Sequence, residues 1–150
     1  MSYEPRMRDP VHALTHDHAD INRRVLELES LIARPTADLS APLRELRELL
    51  FLHFAREEEG LFPFVTDSLP DCVLQVRAME TAHDTICGAL ARMVHFALGG
   101  GERAMIGQLF QRFVIAYTDH AATEGALLAS LDRRLDAEQR RRLAALVSGL

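Results

Sequence analysis

Four stretches of this chain repeat apolar residues at the spacing of one helical face. In the first, Leu14, His18, Ile21, Val25, Leu28 and Ile32 recur at steps of three and four, which predicts an amphipathic helix. The second runs Leu43, Leu46, Leu50, His53, Glu57 and Leu61; the third runs Val76, Met79, His83, Ile86, Leu90 and Val94. The fourth carries Leu109, Phe113, Tyr117, His120, Glu124, Leu127 and Leu131. No segment alternates with period two for long enough to predict a strand.

Local signals punctuate these stripes. Asp9-Pro10 reads as a cap followed by proline at the first helical position. Arg34-Pro35-Thr36 ends the first helix, and Ser40 is expected to cap the second, with Pro42 in its first turn. Pro63 is expected to kink or close that helix. Ser68-Leu69-Pro70-Asp71 opens the third, and Gly99-Gly100-Gly101 separates it from the fourth. Asp136 with Gln139 three residues on predicts a capping box for a short last helix. The expected fold is all-α: an up-down-up-down four-helix bundle with a short C-terminal fifth helix. A length of 150 residues suits one domain over 1–150, with its core in 10–131.

Composition narrows the possibilities further. Apolar content of 48% and charged content of 26% are those of an ordinary soluble globular chain. A net charge of −5 argues against a nucleic-acid or acidic-membrane partner. Arg140-Arg141-Arg142 is read as the wet face of the last helix. No apolar run approaches a membrane span, and the start of the chain lacks the pattern of a signal peptide. Cys72 and Cys87 are too few for a disulfide framework and are read as reduced thiols, which predicts a cytoplasmic setting.

The polar residues that interrupt the stripes are the unusual feature. His18, His53, His83 and His120 each fall on the apolar stripe of a different helix. His12 and His16 share a face with Asp20, Arg23 and Glu27, and His95 lies off its helix's stripe; these three are expected to face water. His53 with Glu57, and His120 with Glu124, are each four residues apart, so each pair shares a face. A lone histidine on an apolar face is usually a hydrogen-bonded core residue, and a lone HxxxE is common by chance. Six such groups spread over four helices are hard to explain by packing, because buried ionisable groups need partners. A pair of metal ions would supply partners for all six. The pattern is also doubled: Asp17-His18 with Ile21, and His83 with Ile86, are each followed by an HxxxE element.

These residues resemble the hemerythrin-like, or HHE cation-binding, domains. The resemblance rests on Asp17-His18-x-x-Ile21, on His53-Phe54-x-x-Glu57-Glu58-x-x-Leu61-Phe62-Pro63, on His83-x-x-Ile86 and on His120-x-x-x-Glu124. It implies a non-haem di-iron centre in which Glu57 and Glu124 bridge the metals and His18, His53, His83 and His120 are terminal ligands. It implies two iron ions as cofactor, with a bridging oxo or hydroxo group as a further candidate. Two positions depart from the oxygen-carrying members. Met79 stands where those carriers have a fifth histidine, and Gly125 stands where they have an aspartate. Glu80, His16 or solvent are candidates for the missing ligand. Both departures count against reversible oxygen carriage.

Imidazole and carboxylate also suit iron on their own terms. Four imidazoles and two bridging carboxylates fill about eight of the roughly twelve positions of two six-coordinate ions, leaving room for a small ligand. Glu58 and Glu59 are read as solvated, and Tyr117 as core packing or a donor to a ligand. The leading expectation is a module that binds or senses oxygen, nitric oxide or a related small species. The alternatives are a di-iron enzyme acting on peroxide or nitric oxide, or delivering iron for repair, and a bundle that uses metal only for structure.

Overall fold

The computed structural model describes residues 10–99 and 102–148. Among the described residues every regular element is helical and none is a strand. The elements are α1 (Pro10–Ile32), α2 (Ser40–Arg56), a π-helical turn (Glu57–Leu61), α3 (Phe62–Ser68), a 3-10 turn (Pro70–Cys72), α4 (Val73–Leu98), α5 (Arg103–Arg134) and α6 (Ala137–Ser148). α4 starts at Val73, just after the Ser68-Leu69-Pro70-Asp71 signal, and stops before Gly99. Asp9, Gly100 and Gly101 lie outside the described residues.

The helices form a bundle. α1 packs against α2 and α5, and α4 packs against α2 and α5. The stripes explain this. All of Leu43, Leu46, Leu50, Val76, Ile86, Leu90, Leu109, Phe113, Leu127 and Leu131 are buried. Each fully buried large apolar side chain contributes about 1.5–3 kcal/mol. The core falls into two clusters. One gathers Ile21, Leu50, Phe54, Ile86 and Tyr117; the other gathers Leu14, Leu61, Met79 and Leu127. Along α1 and α4 the chain passes from the second cluster to the first; along α2 with its π-turn, and along α5, it passes from the first to the second.

Capping fits the sequence reading at one end of the chain and departs from it at another. Asp136 N–H donates to Gln139 Oε1 at 3.0 Å, and Gln139 N–H donates to Asp136 Oδ1 at 2.8 Å. That reciprocal pair is the expected capping box. Ser40 is not the cap of α2 but its first residue, after Leu39. The Asp38 carboxylate accepts from Ser40 N–H at 2.9 Å and from its hydroxyl, so the longer acidic side chain ties down the helix start. Arg103 joins the start of α5 to the α1–α2 connection, donating to the carbonyls of Ala37 at 2.8 Å, Leu31 at 3.0 Å and Arg34.

Pro63 neither closes nor breaks its helix. The chain continues through it into α3. Proline in a helix interior clashes with the carbonyl four residues back and donates no hydrogen bond. Here the preceding turn is π-helical, and Phe62 N–H reaches Glu57 O, five residues back. Widening that turn places Pro63 at the start of a new helical segment, where it is tolerated. Gly60 sits inside the widened turn, and α6 packs directly on it. A Cβ at Gly60 would lie 3.3 Å from the Leu146 carbonyl oxygen, a tight contact that α6 would have to ease by a few tenths of an ångström.

Candidate metal centre

The six polar residues on the stripes meet between the two core clusters. His53, Glu57, His83, His120 and Glu124 are buried, with Glu57 and Glu124 fully so. His18 is slightly exposed, at 14% of its side chain. α1 supplies His18, α2 His53, the π-turn Glu57, α4 His83, and α5 both His120 and Glu124. Ligand atoms of His18, His53, Glu57 and Glu124 lie within 4.8 Å of one another, and so do those of Glu57, His83 and His120.

The two carboxylates divide their oxygens between the two groups. Glu57 Oε1 lies against His53 Nε2, while Glu57 Oε2 is 3.0 Å from His83 Nε2 and 3.9 Å from His120 Nε2. Glu124 Oε1 is 3.0 Å from His18 Nε2 and 3.4 Å from His53 Nε2, while its Oε2 is 3.0 Å from His120 Nε2. Each carboxylate therefore presents one oxygen to the His18–His53 pair and the other to the His83–His120 pair.

These close approaches are not hydrogen bonds. Both oxygens of Glu57, both oxygens of Glu124, His18 Nε2 and His53 Nε2 are buried with no hydrogen-bond partner. His83 Nε2 and His120 Nε2 face each other at 3.2 Å. Leaving such groups unsatisfied costs roughly 1–3 kcal/mol each, and more when charged. Lone pairs directed at common points, two carboxylates and four imidazoles are the donor set of a divalent-cation site. The residues present fit a metal.

A sequence model of the hemerythrin HHE cation binding domain matches residues 9–145. This chain belongs to the hemerythrin HHE family. Comparison with curated proteins and with solved structures finds no match. The buried His and Glu cluster of this hemerythrin-family chain is the group of side chains placed to hold a metal ion.

Two further carboxylates hold the imidazoles from behind. Asp17 Oδ2 is 3.1 Å from His53 Nδ1 and also accepts from Arg56 at 3.2 Å. Glu58 Oε1 is 2.8 Å from His83 Nδ1. Both carboxylates fix the imidazole with Nδ1–H outward and Nε2 turned to the centre. Burial opposes protonation of His53, but Asp17, Glu124 and Glu57 outweigh it and raise its pKa well above 6.5 in the metal-free protein. His83 is raised in the same way, against burial, by Glu57 and then Glu58. Burial would raise Glu124, yet His120, His18 and His53 hold it well below the usual carboxylate range. Asp17 is lowered by His53 and Arg56 against its partial burial.

Glu58 is exposed, as expected, at 43%, and its carboxylate tip also reaches His83. An α-helical wheel turns Glu58 well away from Glu57. The π-turn rotates less per residue, and the two adjacent carboxylates grip opposite nitrogens of one ring. Asp17 was visible only as a neighbour of His18 and had no assigned role. Among the candidates for a missing ligand, Glu80 is exposed, and the side chain of His16 lies outside the described residues, as does that of His12. His95 is exposed, as expected. Met79 is buried one turn before His83. Tyr117 is buried with its hydroxyl unpartnered, and burial followed by the Glu124 and Glu57 charges pushes its pKa up. Phe54 stacks on the His83 ring at 3.8 Å between centroids, and Phe62 lies on it at 5.5 Å.

Proposed function

We propose that this chain is a di-iron protein that binds or senses a small ligand such as oxygen or nitric oxide. His18 and His53 would hold one ion, His83 and His120 the other, and Glu57 and Glu124 would bridge them. The observation that carries this reading is the division of each carboxylate's oxygens between the two imidazole pairs. A single ion would need one oxygen from each carboxylate; two ions use all four. Nitrogen and oxygen donors without an inward thiolate suit iron rather than a structural zinc. The alternation of the two core clusters along α1, α2, α4 and α5 supports an up-down-up-down four-helix bundle around the pair, with α6 as a short fifth helix.

When bound, the ions would supply vacant coordination positions and reversible one-electron chemistry to the ligand. The chain's own residues would do the rest. Asp17 and Glu58 orient His53 and His83, while Phe54 and Phe62 keep bulk water from the His83 ring. Among the described residues no helix is long and apolar enough to cross a membrane.

The test is anaerobic loading with Fe(II), followed by optical spectra before and after addition of oxygen or nitric oxide. The reading expects new charge-transfer absorption with at least one of the two. Spectra that ignore both gases in a fully loaded protein would favour a structural metal instead.

A further inference from the structure

The two candidate metal positions have the same donors but different surroundings. At the His18–His53 position, the carboxylate behind His53 is Asp17, 17% exposed and pinned by Arg56. At the His83–His120 position, the carboxylate behind His83 is Glu58, 43% exposed and reaching inward from the surface of the π-turn. Among the described residues neither His18 nor His120 has such support. His120 Nε2 faces the centre, and its Nδ1 is buried with no partner.

α4 and α5 also leave a gap beside the second position. A cleft of about 300 Å³ between α4 and α5 is lined by Met79, Ala82, Ala116, Asp119, His120 and Thr123. Small side chains on both helices leave this gap, and it reaches the His120 ring. The larger cleft, about 640 Å³ between α1 and α5, is lined by Ile32, Gly107, Phe110 and Ile115 and includes none of the six candidate ligands.

We infer that the ion held by His83 and His120 is the exchangeable one of the pair, and that Glu58 is the positioning residue that sets how tightly it is kept. This rests on the di-iron reading above. The physical reason is that a carboxylate behind a ligating imidazole fixes its tautomer and orientation and raises its basicity, with losses of 10–100-fold in metal affinity when it is removed. Glu58 does this from a solvated position, where it is free to swing away. Asp17 does it under a second bond to Arg56. The open cleft gives a small chelator or ligand a path to the second position.

The experiment is anaerobic release of Fe(II) from the fully loaded protein into excess of a small colour-forming Fe(II) chelator, followed by stopped flow. The unmodified protein should release iron in two phases of equal amplitude. Glu58→Gln should speed the fast phase at least tenfold and leave the slow phase unchanged. Asp17→Asn should speed the slow phase and leave the fast one. The metal-free Glu58→Gln protein should stay folded with a small drop in melting temperature, since the substitution is partly exposed and nearly isosteric but weakens the bond to His83. A single release phase in the unmodified protein would overturn the inference. So would a Glu58→Gln protein in which both phases are unchanged or both accelerate alike. A metal content below two ions per chain before release is a different result, and it would remove the di-iron reading itself.

Discussion

Glu57 and Glu124, on different helical segments, face a shared set of four imidazoles with all four of their oxygens buried and without a hydrogen-bond partner. In the metal-free protein only protons on the histidines can offset that charge. His53 is raised well above 6.5, so its contribution to stability is fully present below about 6.5 and is lost as pH climbs through the raised value. Glu124 is depressed well below 4.5, so its contribution is present above about 4.5 and is lost as pH falls through the depressed value. The chelated protein should therefore be most stable between about pH 4.5 and 6.5 and weaken on both sides. Thermal melts across pH, with and without metal, check this. The metal-loaded protein should instead gain stability as pH rises past 6, since ions compete with protons for the same nitrogens.

Gly60 sets how closely α6 packs on the π-turn that carries Glu57. Gly60→Ala should be close to neutral. Alanine gains about 1 kcal/mol of helix propensity but meets the Leu146 carbonyl at 3.3 Å. Gly60→Leu cannot be absorbed this way and should cost about 1–3 kcal/mol, the usual cost of overpacking. Urea unfolding of the metal-free variants separates the two outcomes.

Phe54 is 3% exposed and lies flat on His83. Phe54→Ala opens a cavity beside the ring and should cost about 3–5 kcal/mol. Phe54→Leu keeps most of the volume and should cost less. The midpoints of denaturant unfolding give both values.

Asp136 and Gln139 satisfy each other's backbone N–H at the start of α6. Asp136→Ala should lose about 1 kcal/mol. The loss should show first as fraying of α6, measured as faster amide exchange in residues 137–148 while α5 stays protected.

The long helices were legible because their faces are regular. Every apolar position of the stripes on α2, α4 and α5 is buried, and the four inward histidines were separable from His95 by phase alone. What the sequence hid lies where that regularity breaks. A π-turn has no composition signal of its own, so Pro63 reads as a kink or a stop, and nothing marks the exposed Glu58 as reaching His83. Gly60 was the available hint: a glycine in a buried stretch marks a close backbone approach. Asp17 was missed for another reason. Its partner, His53, is 36 residues away, and a side-chain contact between helices leaves no trace in the periodicity of either.

The account's central claim is a pair of cations shared by Glu57 and Glu124. Its most direct measurement is the metal content of protein reconstituted anaerobically with excess Fe(II) and stripped of loose metal by gel filtration. The account predicts two irons per chain, falling to one or none in Glu57→Ala and in Glu124→Ala. A saturated content of one iron or fewer in the unmodified chain, or two irons that survive loss of either carboxylate, would contradict it.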